Sequence, residues 1–80
     1  MNQEEIKTRL LEILEGIAPE IEPGELESDV DFREQLDMDS MDLLNFITAV
    51  HKQMGVNIPE SDYPKLTSLD ACVAYLISRI

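Results

Sequence analysis

One cysteine, three glycines and six basic side chains against seventeen acidic ones set the first limits on this 80-residue chain. The lone Cys72 excludes an internal disulfide framework and suits a reducing compartment. No apolar run approaches the roughly 18–20 residues that cross a bilayer. The opening Met1-Asn2-Gln3-Glu4-Glu5 lacks the basic start of a signal peptide, so the cytoplasm is the expected location. Metal-ligand spacing, a glycine-rich phosphate loop and a catalytic triad are all missing. So is the apolar–polar alternation of a half-buried strand. A chain this short encloses a core but has little room for a substrate pocket with catalytic machinery. These absences leave an all-α fold, one domain over residues 1–80, and a protein that is not an enzyme.

What is present is acid, unevenly placed. The first 42 residues carry 14 Asp and Glu against Lys7, Arg9 and Arg33, a balance of −11, whereas the remainder carries three charges of each sign. Such a field repels nucleic acid and anionic membranes and speeds encounter with basic protein surfaces. Solubility alone would account for acidity, but the excess runs right up to Ser40, which favours partner steering. An apolar fraction of 44% is ordinary for a globular domain and argues against wholesale disorder.

Apolar periodicity supplies the architecture. Ile6, Leu10, Ile13, Leu14 and Ile17 form one helical stripe, predicting a helix from Asn2 to Glu15 that Gly16 and Pro19 end. The acidic stretch from Ile17 to Asp39 reads as a long loop, with Leu26, Val30, Phe32 and Leu36 as core anchors and a helical turn near Asp31–Gln35. Leu43, Phe46, Ile47, Val50 and Met54 form the clearest stripe, which Gly55 stops. Met41 and Leu44 lie off that stripe, so an apolar side chain should face outward beside Ser40. Val56 to Pro59 reads as an extended connector, followed by a short helix between Pro59 and Tyr63 that stops before Pro64. Leu69, Cys72, Val73, Leu76 and Ile80 define the last helix, with Thr67 and Asp70 as a capping arrangement. The predicted fold is a small bundle of three main helices and one short helix.

The candidate site is Asp37-Met38-Asp39-Ser40-Met41-Asp42, where the long loop meets the second main helix. Asp39 or Ser40 serves as N-cap, which taken alone is a structural role worth about 1 kcal/mol. The setting adds something. A phosphate ester on Ser40 would lie at a helix N-terminus, where amide dipoles stabilise negative charge. Asp37, Asp39 and Asp42 oppose that charge, but they also suit a metal ion or a basic enzyme surface during transfer.

Sharper readings fail on geometry. An EF-hand counted from Asp37 would put Asp42 where glycine is needed and Thr48 where a bidentate Glu is needed. The only histidine, His51, lies roughly 16 Å along the helix from Ser40, beyond hydrogen-bond reach for a general base, and reads as a flanking surface residue. Cys72 sits on an apolar stripe and reads as a buried, inert thiol. Met38 and Met54 read as core fillers.

Leu36-Asp37-Met38-Asp39-Ser40-Met41-Asp42 resembles the acyl carrier protein signature, commonly Leu-Gly-x-Asp-Ser-Leu-Asp. The likeness extends to the leading amphipathic helix, the acidic loop, the serine-headed helix, the Ile58-Pro59 connector and a closing helix after Thr67-Ser68-Leu69. It implies that Ser40 bears a 4′-phosphopantetheine arm, transferred from coenzyme A by a separate Mg²⁺-dependent phosphopantetheinyl transferase. The arm's thiol would carry acyl or aminoacyl groups as thioesters, and the chain would work as a monomer with acyl-transferring or acyl-activating enzymes. By the same resemblance, Asp37, Asp39, Met41, Asp42 and Leu44 form the docking surface, and no resident metal is implied.

Two features depart from the family pattern. Asp37 replaces the usual glycine, and the helix continues with Asn45, Thr48, His51 and Lys52 where fatty-acid carriers are strongly acidic. Fatty acid, polyketide and other specialised acyl pathways all remain open. So do an aminoacyl or peptidyl carrier of the same fold and an unmodified acidic helical adaptor.

Overall fold

The computed structural model describes residues 2–19, 22–36 and 38–79, with Pro23 described through its backbone. Helix α1, Gln3–Ile17, starts at Asn2, whose Oδ1 accepts the Glu5 N–H at 2.9 Å. Glu4 and Glu5 in the first turn complement the positive end of its dipole. Its buried face is Ile6, Leu10, Ile13 and Leu14. The helix runs two residues beyond the predicted stop at Glu15. Gly16 keeps helical geometry because Ile17 continues the apolar stripe onto the core, and the Ala18 N–H closes the last turn on the Leu14 carbonyl at 2.8 Å.

The acidic segment is more ordered than a loop. It contains a 3-10 turn at Pro23–Glu25 and a single-turn helix, α2, at Phe32–Gln35, capped by Asp31. Phe32 is fully buried, while Leu26 and Leu36 are partly buried against the core; Val30 is half-buried outside that cluster. Two backbone bonds tie the segment to the start of the last helix: Phe32 N–H to the Thr67 carbonyl at 2.7 Å and Asp70 N–H to the Ser28 carbonyl at 2.8 Å. Gln35 clamps it internally. Its Oε1 accepts the Glu27 N–H at 2.8 Å, and its Nε2 donates to the Glu27 and Val30 carbonyls at 2.6 and 2.9 Å.

Helix α3, Ser40–Met54, buries Phe46, Ile47 and Val50 and ends at Gly55, whose φ of 67° is the left-handed geometry of a helix C-cap. A 3-10 segment at Glu60–Lys65 follows, and it contains Pro64 instead of stopping before it. Asp62 N–H bonds the Pro59 carbonyl and Leu66 N–H bonds the Tyr63 carbonyl, so the segment is built of successive turns. Pro64 takes the second position of the later turn, where no N–H is required. Helix α4, Leu69–Ile77, is capped by Ser68 and not by Thr67: Ser68 Oγ accepts the Ala71 N–H at 3.2 Å, while the Thr67 carbonyl is already engaged by Phe32. Ile80, placed on the last stripe from sequence, lies outside the described residues.

The three long helices share one core, with α1 packed against both α3 and α4. Phe32 and Phe46 meet edge to face, centroids 5.3 Å apart, which fastens the acidic segment to α3. The predicted all-α bundle is the fold observed: the short helix expected after Pro59 is the 3-10 segment Glu60–Lys65, the turn expected near Asp31–Gln35 is α2, and the 3-10 turn Pro23–Glu25 is added.

Candidate functional site

Of the two predicted caps, Asp39 takes the role. Its backbone is extended, its Oδ1 accepts the Asp42 N–H at 2.9 Å, and its carbonyl accepts the Leu43 N–H at 3.1 Å. Ser40 is thereby the first helical residue, exposed, with the capping duty carried by its neighbour. One residue before the cap, Met38 is buried and its N–H bonds the Leu36 carbonyl at 2.7 Å. The core therefore holds the chain immediately before the serine, and Gly55 closes the far end of the same helix.

The remaining site residues surround this tip. Met41 is 65% exposed and Leu44 42% exposed, so both apolar side chains predicted off the stripe face outward. Ser40 and Leu44 share a helix face at i, i+4, with Met41 beside Leu44 at i, i+3. Asp39 is exposed and Asp42 half-buried. Asp37 lies outside the described residues. Among the described residues no group of three or more His, Cys, Asp or Glu is arranged to hold a metal ion.

An exposed hydroxyl on the first turn of a 15-residue helix suits a phosphodiester, because the positive end of the helix dipole favours its charge. The 4′-phosphopantetheine group fits this exposed tip, where Ser40 would hold it and the helix N-terminus would favour its charge. Neither His51 nor Cys72 is placed at the hydroxyl. His51 sits in the last turn, and its Nδ1 donates to the Val56 carbonyl at 2.8 Å, fastening α3 to the connector. Cys72 is fully buried, and desolvation pushes its thiol up to about 12, far from the thiolate that reactivity requires.

One polar cluster was not legible from spacing. Tyr75 on α4 donates its hydroxyl to Asp62 Oδ2 at 2.6 Å, Lys65 lies 3.3 Å from Asp62 Oδ1, and Arg79 stacks 3.8 Å over the Tyr75 ring. The Tyr75 hydrogen bond, chiefly, holds the Asp62 carboxyl below its ordinary range against partial desolvation; Lys65 and Arg79 add to the effect. The cluster latches the 3-10 segment onto α4 and lies on a different helix from Ser40.

Comparison with known proteins agrees with this geometry. Residues 8–76 match the family described as phosphopantetheine attachment site. The chain is 30% identical over 79 residues to the acyl carrier protein of Rubrobacter xylanophilus, an alignment covering 99% of this chain and 96% of that one. It is 24% identical over 79 residues to the mitochondrial acyl carrier protein of Neurospora crassa, where it covers 99% of its own length but spans only 59% of the relative. The solved acyl carrier protein from Enterococcus faecalis has the same fold over 100% of both chains, with a TM-score of 0.83 at 22% identity. With the family match running from α1 into α4, this chain belongs to the phosphopantetheine-attachment family, as a member of the acyl carrier proteins, whose cofactor is 4′-phosphopantetheine.

Proposed function

We propose that residues 1–80 act as one carrier domain, modified on Ser40, that holds acyl groups and delivers them to partner enzymes without catalysing a reaction itself. Proteins of this family work in general with a phosphopantetheinyl transferase and with acyl-handling enzymes. The observation that carries the assignment to Ser40 is the division of labour at the helix tip: Asp39 caps, and Ser40 is left exposed. In the modification a Ser40 Oγ–P bond forms as the pyrophosphate P–O bond of coenzyme A breaks, adenosine 3′,5′-bisphosphate leaves, and the hydroxyl proton passes to a base supplied by the transferase. When bound, the arm supplies the thiol that bears the acyl group as a thioester. The chain's own residues fix the point of attachment and present it.

Asp37, Asp39, Met41, Asp42 and Leu44 make the proposed docking surface, acidic with an apolar centre, for partners with basic faces. Fatty acid, polyketide and other specialised acyl metabolism are the pathways this reading covers. It takes the protein to be a cytoplasmic monomer that binds neither nucleic acid nor membrane. Among the described residues no helix is long and apolar enough to cross a membrane.

Incubation with coenzyme A, Mg²⁺ and a promiscuous phosphopantetheinyl transferase, followed by intact mass measurement, tests the proposal. A gain of one arm that is lost in Ser40→Ala is the expected result. An unchanged mass with several transferases would leave an acidic adaptor in place of a carrier.

A further inference from the structure

The core-facing stripe of α3, from Leu43 to Met54, has a counterpart on the outside. Met41, Leu44, Asn45, Thr48 and Lys52 share one face, roughly 200° around the helix from that stripe, and all of them are exposed. From the Ser40 end onward, this face is apolar, then polar and uncharged, then cationic. No Asp or Glu occurs from position 43 to position 59, in a chain that carries seventeen of them. Acid on this helix stands only at the near end, as the cap Asp39 and Asp42 in the first turn, while Lys52 stands in the last turn. Among the described residues the ion pairs are those of Asp62 with Lys65 and Arg79, and neither engages Lys52. The helix dipole accounts for a cation in the last turn. It does not account for the missing acid at Asn45 and Thr48, which are mid-helix and exposed in so acidic a chain.

We propose that α3 docks a partner enzyme whose surface is basic at the Ser40 end and acidic at the Lys52 end, and that Lys52 turns away surfaces basic along their whole length; the inference rests on the docking surface proposed above. The two ends act separately. Asp39 and Lys52 lie roughly 20 Å apart along the axis, more than two screening lengths of about 8 Å at physiological salt. A partner laid along the helix therefore meets two local fields of opposite sign. Between them, Met41 and Leu44 call for an apolar recess, since both are exposed apolar side chains on the same face. A like charge opposite Lys52 is repulsive, the kind of contact that sets specificity by excluding wrong partners. Opposite ends also fix the direction of the helix: docked the other way round, Asp39 would meet acid and Lys52 would meet base. Direction matters because Ser40 must face the mouth of the partner's active site for the arm to enter. The partner's acidic side chains then lie roughly 18 Å from that mouth.

The test uses the full chain bearing the arm and a carrier-acylating synthetase whose docking surface is basic throughout. A second form of that synthetase has the basic side chains farthest from its active-site mouth changed to Glu. Acylation kcat/KM is measured with both forms for the native chain, Lys52→Glu, Lys52→Gln and Met41→Asp. Lys52→Gln is the reference, because it keeps the general field of the chain and lacks only the local charge. Relative to it, the native chain should favour the altered form about fivefold more and Lys52→Glu about fivefold less, the upper size of an exposed ion pair. Both preferences should fade at about 1 M salt, where screening acts within about 3 Å. A Lys52 that only complements the helix dipole would change Tm and leave these preferences unmoved. Preferences that do not follow the charge at position 52, or no turnover in any pairing, would overturn the proposal. If Met41→Asp lowers kcat/KM with both forms while the Lys52 variants show no preference, the docking surface stands and this inference fails alone. If neither Met41→Asp nor Lys52→Glu changes kcat/KM, both fail.

Discussion

Two serines stand at helix starts in this chain, in nearly the same local sequence, Asp39-Ser40-Met41-Asp42 and Thr67-Ser68-Leu69-Asp70. Ser68 is a cap: half-buried, its hydroxyl accepts the Ala71 N–H, and the preceding carbonyl is pinned by Phe32. Ser40 is displaced by one position into the helix because Asp39 performs that duty, and its side chain stays exposed. The neighbours differ in the same sense. Leu69 is buried after Ser68, whereas Met41 is among the most open apolar side chains after Ser40. One residue of register thus separates a hydroxyl used in folding from one left available for chemistry.

The comparison breaks most visibly in the modification assay, where Ser40→Ala should abolish the mass gain and Ser68→Ala should leave it in place. Next in size is Phe32→Ala. This fully buried ring joins the acidic segment to Phe46, and its truncation should cost on the order of 3–5 kcal/mol. For a chain this size total stability is roughly 4–12 kcal/mol, so denaturant titration should show a midpoint lowered by about a quarter or more.

Alkaline pH probes the closed side, on the helix that Ser68 caps. Burial raises the Cys72 thiol from 9.0 to about 12, so the native state holds the proton more tightly than the unfolded chain. That contribution is complete below pH 9 and is lost as pH rises toward 12. Tyr75, raised chiefly by desolvation, acts in the same direction above its ordinary value of 10.0. By pH 10 the loss through Cys72 should be on the order of 1 kcal/mol, read as the difference in pH dependence of denaturant midpoint between the native sequence and Cys72→Ala.

The smallest effects sharpen the contrast between the two tips. Ser68→Ala and Asp39→Ala should each cost about 1 kcal/mol as lost caps, which for a domain of this length lowers Tm by roughly 4–8 °C. Ser40→Ala should stay within about 0.5 kcal/mol, as surface substitutions do. A Ser40→Ala variant as unstable as Ser68→Ala would show that Ser40 is a structural residue after all.

Much of the bundle was readable because its long helices write their buried faces as stripes at i, i+3 and i+4. Ile6 to Leu14 on α1 and Phe46, Ile47 and Val50 on α3 are the core that the spacing predicted. The serine-headed tip was readable for a similar reason, since capping preferences act within a few residues. What escaped depends on partners distant in sequence. Gly16 stays helical because Ile17 finds the core. Ser68 caps α4 while Thr67 answers to Phe32, 35 residues away. The Gln35 clamp and the Tyr75–Asp62 bond are single side-chain contacts with no periodic signature. Pro64 reads as a stop because its missing N–H matters to an α-helix, but a chain of turns leaves a place where that N–H is not used.

Five serines offer five hydroxyls for the arm, at positions 28, 40, 61, 68 and 78. Digesting the modified protein and sequencing the peptides by tandem mass spectrometry locates the added mass on one of them. The account predicts the whole increment on Ser40, and an arm found on Ser68 or any other side chain would contradict it.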